Sequence, residues 1–418
     1  MLDENKNYWL YIAPHVYCRI EGSEAILYNT KNGQIIKTND AENIDLLINL
    51  HDKTNLGAIY LEGLMLTTPS VKDFLLEFIG KGMGELLDIE QEKLKPIQMM
   101  PVLNLQQDID RLQQFGLPIT LKNTLHYLLE LNLYLNSKCA GHCGLCQVYF
   151  KQNLCCTRSE ESPSLELNPM DIRKILYQIK YSPVGKINLL GGDIFKYSHF
   201  HELPEILSGF EDRTHIWSHY ANYNTVKDIM PHLTHDIIVT LPYHEDLFRS
   251  CRKKFITSTQ NNYHFFITSE NDYDIAESII ENHHIDHYYF HPVFTGKNTE
   301  FFEQNIYSDE EDIQNVVKSF RQIFANQKLN SNYFGILSVR PTGDVFANIN
   351  SPSLGNVKEQ TIIDLINHEL IHNTAWRKTR NSSPCSHCLY QYLCPPPSNY
   401  EIALNKPNLC HVHSQFGK

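Results

Sequence analysis

The sequence predicts an α/β fold in which a parallel sheet or barrel carries its helices on the outside. Two observations support this prediction. From residue 129 onward, strand-like segments alternate with helix-like segments, which is the pattern of βαβ units. The first of these strands, LELNLYLNSK, places Leu131, Leu133 and Leu135 at every second position, the period of a strand. Ligands of such folds bind at the carboxyl ends of the strands.

Composition excludes several classes of protein. The chain has 418 residues, enough for two or three domains, and its 42% hydrophobic and 20% charged residues are typical of globular proteins. A formal net charge of −12 argues against a protein that coats nucleic acid. The N-terminal residues lack the pattern of a secretory signal, and no run of about eighteen apolar residues occurs. We therefore expect a cytoplasmic protein with no nucleic-acid and no membrane partner.

Residues 1–103 are predicted to form a small domain. WLYIAPHVYCRI and AILYNTKNGQII are rich in strand-forming residues, and the Asn32-Gly33 pair of the second segment is a hairpin signal. DAENIDLLINLH reads as a helix capped by Asp40 or Asn39, and a further helix is predicted after Ser70 as its cap. This order of elements resembles a winged-helix-like module. Residues 104–128 are interpreted as a helical linker.

The alternating elements are predicted to span residues 129–335. Asn168 and Pro169 suit the start of a helix, and the strand that follows this helix ends in Gly191 and Gly192. Residues 336–418 form a third predicted unit with a cysteine- and proline-rich tail. Further strand candidates are HIWSHYA, DIIVTLP, YHFFITS, HYYFHPVF and FGILSVR.

Seven of the eleven cysteines fall in two tight groups, which indicates metal binding rather than disulfides in a cytoplasmic protein. The first group is KCAGHCGLC, with Cys139, Cys143 and Cys146. Three thiolates would leave one iron of a four-iron cluster open to a substrate or cofactor. The alternatives are zinc with His142 as a fourth ligand, or reduced thiols without metal.

The spacing C-x3-C-x2-C on a loop after the first strand resembles the radical S-adenosylmethionine (SAM) enzymes. The glycine pair and Asp193 stand where that family has Gly-Gly-Glu-Pro, with Ile194 in place of the proline. The resemblance implies a partial (β/α)6 barrel and a SAM-binding [4Fe-4S] cluster that yields a 5′-deoxyadenosyl radical. It also implies SAM contacts. The predicted SAM contacts are Gly191, Gly192, Asp193, Asn222 and Thr240. The alternative reading of the glycine pair is a tight turn between strand and helix.

The second group has four thiols, Cys385, Cys388, Cys394 and Cys410, which suffice for a closed zinc or four-iron site. The pattern resembles the SPASM extension (twitch-like) of radical SAM peptide-modifying enzymes. Because Ser398 stands where a ligand of a second auxiliary cluster is expected, the resemblance implies one auxiliary [4Fe-4S] cluster. Zinc remains an alternative at this site.

YLCPPPSNYE, KQNLCCT and YWLYIAPHVY together resemble a narrower set, the pseudo-radical-SAM proteins of Gly-Gly-leader peptide systems. The resemblance implies an enzyme that modifies a ribosomally synthesised precursor peptide, bound through its leader by the N-terminal module, with an external electron donor. A catalytically silent homologue that binds the peptide or a partner maturase is the alternative, and a zinc-binding scaffold is a third. Cys155 and Cys156 are either buried small hydrophobes or reactive thiols.

Overall fold

The structure, a computed structural model, describes residues 2–98, 124–139, 143–157, 165–226, 229–255 and 261–412. Most of the predicted linker 104–128, through residue 123, lies outside the described residues, as does His142.

The strands of the described residues alternate with helices along most of the chain. Their bounds are β1 Tyr8–Ile12, β2 Val16–Glu21, β3 Glu24–Asn29, β4 Ile35–Thr38, β5 Ala58–Leu61, β6 Gly84–Asp88, β7 Glu130–Tyr134, β8 Lys186–Leu190, β9 Thr214–His219, β10 Thr234–Thr240, β11 Asn261–Ile267, β12 Tyr288–Pro292, β13 Ile336–Val339, β14 Asp344–Phe346 and β15 Gly355–Asn356. The α-helices are α1 Ala41–His51, α2 Pro69–Gly80, α3 Cys146–Gln152, α4 Pro169–Ile179, α5 Leu203–Ile206, α6 Glu245–Lys253, α7 Glu270–His283, α8 Thr299–Asn305, α9 Glu310–Asn315, α10 Phe320–Lys328, α11 Ile362–His372 and α12 Asn399–Leu404.

The N-terminal residues form two antiparallel three-stranded sheets, β5-β1-β6 and β2-β3-β4, with α1 and α2. The segment WLYIAPHVYCRI, predicted to be rich in strand, is divided between the two sheets. The division falls at Pro14, which has no N–H for a sheet hydrogen bond. The predicted hairpin at Asn32-Gly33 is confirmed, since β3 pairs with β4 and Gly33 has a φ of 75°.

Helix caps in this region were predicted with mixed success. Asp40 caps α1 as expected, because its side chain accepts hydrogen bonds from the N–H groups of Glu42 and Asn43 at 3.0 and 3.1 Å. The prediction that Ser70 caps the second helix is wrong. Helix α2 begins earlier, with Pro69 in its first turn and Thr68 at the N-cap position. Proline favours that place because its fixed φ is helical and the N–H it lacks would have no partner.

The larger sheet has nine strands in the order β12-β11-β10-β9-β8-β7-β13-β14-β15. Strands β7 to β12 are parallel and follow one another in chain order, and β13 is parallel to β7. Each strand predicted between residues 129 and 340 is present, and α4 begins at Pro169 behind the Asn168 cap as expected. The α/β class is confirmed as a mostly parallel sheet, while closure into a partial barrel stays a prediction.

The two faces of this sheet differ in chemistry. One face is apolar and packs against α4, α5, α6, α7 and α11, which all contribute to the same two hydrophobic clusters as the strands. The other face carries polar side chains on the same strands, and we call it the polar face. Its polar members include Glu130, Asn132, Asn188, His215, Asp236, His264 and His291. Alternation along each strand therefore separates a helix-packed face from a face able to bind polar ligands.

No helix among the described residues is both long enough and apolar enough to cross a membrane.

Replacement of the α1 cap should destabilise the protein. Asp40→Ala leaves the N–H groups of Glu42 and Asn43 without their side-chain acceptor, so we expect a loss of about 1 kcal/mol in the free energy of unfolding. Ser70→Ala is the matched control, since Ser70 is exposed and forms no cap; its effect should stay within about 0.5 kcal/mol. Urea denaturation followed by circular dichroism measures both, and equal losses would contradict the assignment of the cap.

Candidate functional site

Four of the predicted site segments meet at one edge of the nine-stranded sheet. Strands β7, β8, β9 and β10 are parallel neighbours, so their carboxyl ends lie side by side. The first cysteine group follows β7, the glycine pair follows β8 directly, Asn222 follows β9 and Thr240 ends β10. This edge is where parallel α/β folds bind ligands.

The glycine pair allows the start of the cysteine loop to approach the end of β8. The Gly192 N–H donates to the backbone oxygen of Asn136 at 3.1 Å and to its Oδ1 at 3.0 Å. A Cβ atom on Gly191 would lie 2.6 Å from Asn136 Oδ1, and one on Gly192 would overlap the Lys138 carbonyl oxygen. Both positions therefore require glycine, as a tight turn would, and they dock Cys139 beside β8.

Asp193 is buried and serves the local backbone. Its Oδ1 accepts a hydrogen bond from the Phe195 N–H at 3.2 Å, and its Oδ2 lies 3.3 Å from Lys196 Nζ. Only 2% of the residue is exposed. A contact between Asp193 and SAM stays a prediction, and the carboxylate has these two structural partners in its present position.

Asn222 has a buried oxygen without a partner. Its Nδ2 donates to Ser218 Oγ at 3.1 Å, whereas its Oδ1 has no hydrogen-bond partner among the described residues. The residue is 3% exposed. A buried amide oxygen without a donor costs about 1–3 kcal/mol, so this position suits a ligand that brings an N–H or O–H group.

Thr240 links a histidine to the first cysteine group. His219 Nδ1 accepts from the Ala221 N–H at 3.3 Å, which leaves the proton on Nε2, and Nε2 donates to Thr240 Oγ1 at 3.0 Å. The Thr240 hydroxyl can then donate to the Cys143 thiol, with which it shares a hydrogen bond. The hydrogen bond from Thr240 opposes the effect of burial on the pKa of Cys143 but does not outweigh it. His219 was not predicted, because its partners lie on other segments of the chain.

Five thiols, not three, converge at this edge. Cys143, Cys146, Cys155 and Cys156 are all buried in one cluster, and Cys146 Sγ lies 3.9 Å from the Cys156 carbonyl oxygen. Burial raises the pKa of Cys143, and repulsion from Cys156, Cys146 and Cys139 adds to the shift. A hydrogen bond with Cys155, together with burial, raises the pKa of Cys156. As separate groups these are neutral thiols, and a cation would be needed to hold them as thiolates.

Across the described ranges, no three His, Cys, Asp or Glu side chains lie together in an arrangement that would hold a metal ion. Cys139, Cys143 and Cys146 therefore stay predicted ligands. The donor set itself suits iron or zinc, since thiolate sulfur is a preferred ligand of both.

An arginine, Arg380, lies beside two members of the second cysteine group, Cys385 and Cys394. Cys385 and Cys388 are buried, and burial raises the pKa of Cys394 to about 12 despite the opposing charge of Arg380. Arg380 Nη1 lies 4.0 Å from Cys385 Sγ, and Arg380 Nη2 bonds Glu401 Oε1 at 2.8 Å. A guanidinium beside two thiols suits a site whose occupied form carries net negative charge. The four thiols stay predicted ligands here as well.

This tail packs on the N-terminal residues. Cys388, Tyr390 and Leu393 share a hydrophobic cluster with Tyr17 and Tyr28 of the β2-β3-β4 sheet. Polar contacts reinforce the junction, because Arg19 Nη2 donates to the Ser386 carbonyl at 2.7 Å. The second cysteine group is therefore part of the junction between the two ends of the chain.

Comparison with known proteins gives distant matches. No family model matches the chain, and no curated protein matches it. Among solved structures, Streptococcus suis SuiB bound to precursor peptide SuiA is 13% identical, covers 96% of this chain and 98% of its own, and has a TM-score of 0.42. SuiB bound to S-adenosylmethionine is 14% identical over 96% of this chain and 98% of its own, with a TM-score of 0.41. A third SuiB structure is 14% identical over 95% and 97%, with a TM-score of 0.43. TM-scores this low transfer neither fold nor function to the present chain.

A side chain at position 192 should displace the cysteine loop. Gly192→Ala forces a Cβ against the Lys138 carbonyl, so we expect a loss of about 1–3 kcal/mol in stability and a lower metal content after reconstitution. Gly185→Ala is the matched control, because nothing lies within 4 Å of a Cβ at that position near the other end of β8. Chemical denaturation and metal analysis measure both variants. If Gly192→Ala equals Gly185→Ala in both, the close approach is not required.

Proposed function

We propose that the protein is a radical SAM enzyme that modifies a ribosomally synthesised precursor peptide. One observation carries the proposal. The cysteine loop, the glycine pair, Asn222 and Thr240 meet at the carboxyl ends of four adjacent parallel strands. The peptide as substrate rests on the resemblance of the sequence to peptide-modifying members of that family.

In this proposal Cys139, Cys143 and Cys146 hold a [4Fe-4S] cluster. When bound, such a cluster would supply the electron for reductive cleavage of SAM, the chemistry on which this class of enzyme depends. Thr240, whose Oγ1 lies 3.0 Å from His219 Nε2, would donate a hydrogen bond to Cys143 and so partly offset the cost of forming the buried thiolate. The aromatic side chains of the surrounding cluster, among them Tyr149 and Phe150, limit access of water to the thiols.

The remaining predicted contacts would bind SAM. The free oxygen of Asn222 would accept a hydrogen bond from it. The glycine pair offers backbone without a side chain close to the cysteine loop. Asp193 could turn toward the SAM amino group only by giving up its bonds to Phe195 and Lys196.

Residues 336–418 would form the auxiliary domain. Cys385, Cys388, Cys394 and Cys410 would hold one auxiliary [4Fe-4S] cluster, or zinc in its place. Arg380 would balance the negative charge of the thiolates, and its own charge is stabilised by Glu401.

Residues 1–103 would bind the leader of the precursor peptide. The β5-β1-β6 sheet ends in two short strands, and a peptide could add to such an edge through main-chain hydrogen bonds. An external electron donor and a partner maturase complete the proposed set of partners.

A catalytically silent homologue that binds the peptide is the second candidate. Two observations favour it. Asp193 already has structural partners. In addition, Cys156 supplies a further thiol beside Cys143, so that a metal at this edge could lack an open position. A closed four-thiolate metal site stabilises a fold but leaves no position for a substrate.

Anaerobic reconstitution with iron and sulfide, followed by incubation with SAM and a strong reductant, separates these functions. We expect the wild type to form 5′-deoxyadenosine, and Cys143→Ala to lose most of this activity. Cys18→Ala is the control, because Cys18 lies in β2, outside both cysteine groups, and it should retain the activity. Iron, zinc and 5′-deoxyadenosine are quantified for each protein.

Iron loading without 5′-deoxyadenosine in the wild type would favour the silent homologue. A colourless protein with about one zinc per cysteine group would favour a zinc-binding scaffold. Equal activity of Cys143→Ala and Cys18→Ala would exclude the first cysteine group from the reaction.

A further inference from the structure

Three histidines and one aspartate form a continuous hydrogen-bonded chain on the polar face. His215 Nδ1 lies 2.6 Å from Asp236 Oδ2, and His264 Nε2 lies 2.8 Å from Asp236 Oδ1. His264 Nδ1 in turn lies 2.8 Å from His291 Nε2. The four residues come from β9, β10, β11 and β12, so sheet pairing holds them in line.

The charge of Asp236 decides which ring nitrogens of the hydrogen-bonded histidines carry protons. Burial alone would raise the pKa of Asp236, but hydrogen bonds from His215 and His264 outweigh burial and hold the pKa well below its ordinary value. An ionised carboxylate only accepts, so His264 must carry its proton on Nε2. Its bare Nδ1 then accepts from His291 Nε2–H. The second ring nitrogen of His291, Nδ1, is left as an acceptor.

His291 lines a cavity of about 310 Å³ between the polar face and the C-terminal residues. The walls are mostly uncharged and rich in amide and hydroxyl groups, which both donate and accept as a peptide group does. Other lining residues include Glu130, Asn132, Asn153, Asn348 and Tyr400.

We propose that His291 exchanges a proton with a peptide segment bound in this cavity, and that His264 and Asp236 store the charge. His291 Nδ1 takes a proton from an N–H, O–H or S–H group of the ligand, which is left as its conjugate base. The Nε2 proton of His291 passes to His264 Nδ1. The positive charge then rests on His264, next to the Asp236 carboxylate, and the reverse transfer returns the proton. The peptide as ligand rests on the proposed function, whereas the proton chain does not.

Transfer of the proton from His291 to His264 matters because His291 alone is a weak base. Burial, and then the neighbouring His264, lower the pKa of His291 to about 3, although Asp236 opposes the shift. A proton that moved on to His264 would instead lie beside a carboxylate. The surrounding groups are the charges of Glu130 and Lys186, which act on Asp236, and the rings of Tyr289 and Phe266, which stack on His264 and His291.

Nuclear magnetic resonance of the full chain, labelled with ¹⁵N-histidine, tests the chain of protons. At pH 7 we expect His264 and His291 to carry their protons on Nε2. On acidification the proton that the pair takes up should be located on His264. His235 is the matched control, because it is buried, bonds Tyr223 and the Met230 carbonyl, and has its pKa lowered to about 4 by burial.

Two variants move this uptake in opposite directions. Asp236→Asn removes the stored negative charge and should lower the pH of uptake by about 1–3 units. His215→Leu removes one donor to Asp236, so the carboxylate should hold a proton on His264 more strongly and the uptake should move to higher pH. His215→Leu also serves if Asp236→Asn does not fold. A proton on His291 Nδ1, or uptake that neither variant moves, would overturn the proposal.

N-methylacetamide, which is a single peptide group, probes the ligand. It should shift the ¹⁵N resonance of His291 Nδ1 and leave His235 unchanged. The absence of any shift at the highest soluble concentration would overturn the peptide-binding part. Neither measurement requires iron or SAM, so their failure is distinguishable from failure of the SAM cleavage assay.

Discussion

The close approach of residues 136–138 to residues 191–193 positions both cysteine-bearing segments at the carboxyl edge of the sheet. Two glycines without side chains, and the hydrogen bonds of Asn136 to Gly192 and Asp193, fix the start of the cysteine loop against β8. The segment that carries Cys155 and Cys156 returns to the same place, because the Thr157 N–H donates to the Gly191 carbonyl at 2.8 Å. The turn after β8 therefore holds both segments that carry the five thiols.

Local patterns sufficed to predict most of the elements. Alternating Leu131 and Leu133, and the Asn168 cap, mark β7 and α4 because each signal lies within a few residues of the element it defines. The sheet to which each strand belongs could not be predicted from local patterns. β1 and β2 are neighbours in the chain yet belong to separate sheets, and that choice depends on partners as distant as β6. A single sequence records which residues favour a strand but not which strand they pair with.

The candidate site shows the same division. The spacing of Cys139, Cys143 and Cys146 drew attention to the loop, and the structure puts this loop beside the other predicted segments. His219 and Arg380 were missed, since each acts through a hydrogen bond or charge contact with residues elsewhere in the chain. The histidine chain is a further case. Its members are 21 to 28 residues apart in sequence, and only parallel strand pairing brings their rings into contact.

The junction between the C-terminal tail and the β2-β3-β4 sheet has a consequence for biosynthesis. Tyr17 and Tyr28 are buried partly by Leu393 and Val412, which leave the ribosome nearly four hundred residues later. Until residues 313–412 are made, this aromatic surface of the β2-β3-β4 sheet lacks its packing partners, even though its own strands can already pair. The nascent chain therefore exposes an apolar surface through most of its synthesis. A chain truncated before the cysteine tail would leave part of that surface exposed and be prone to aggregate.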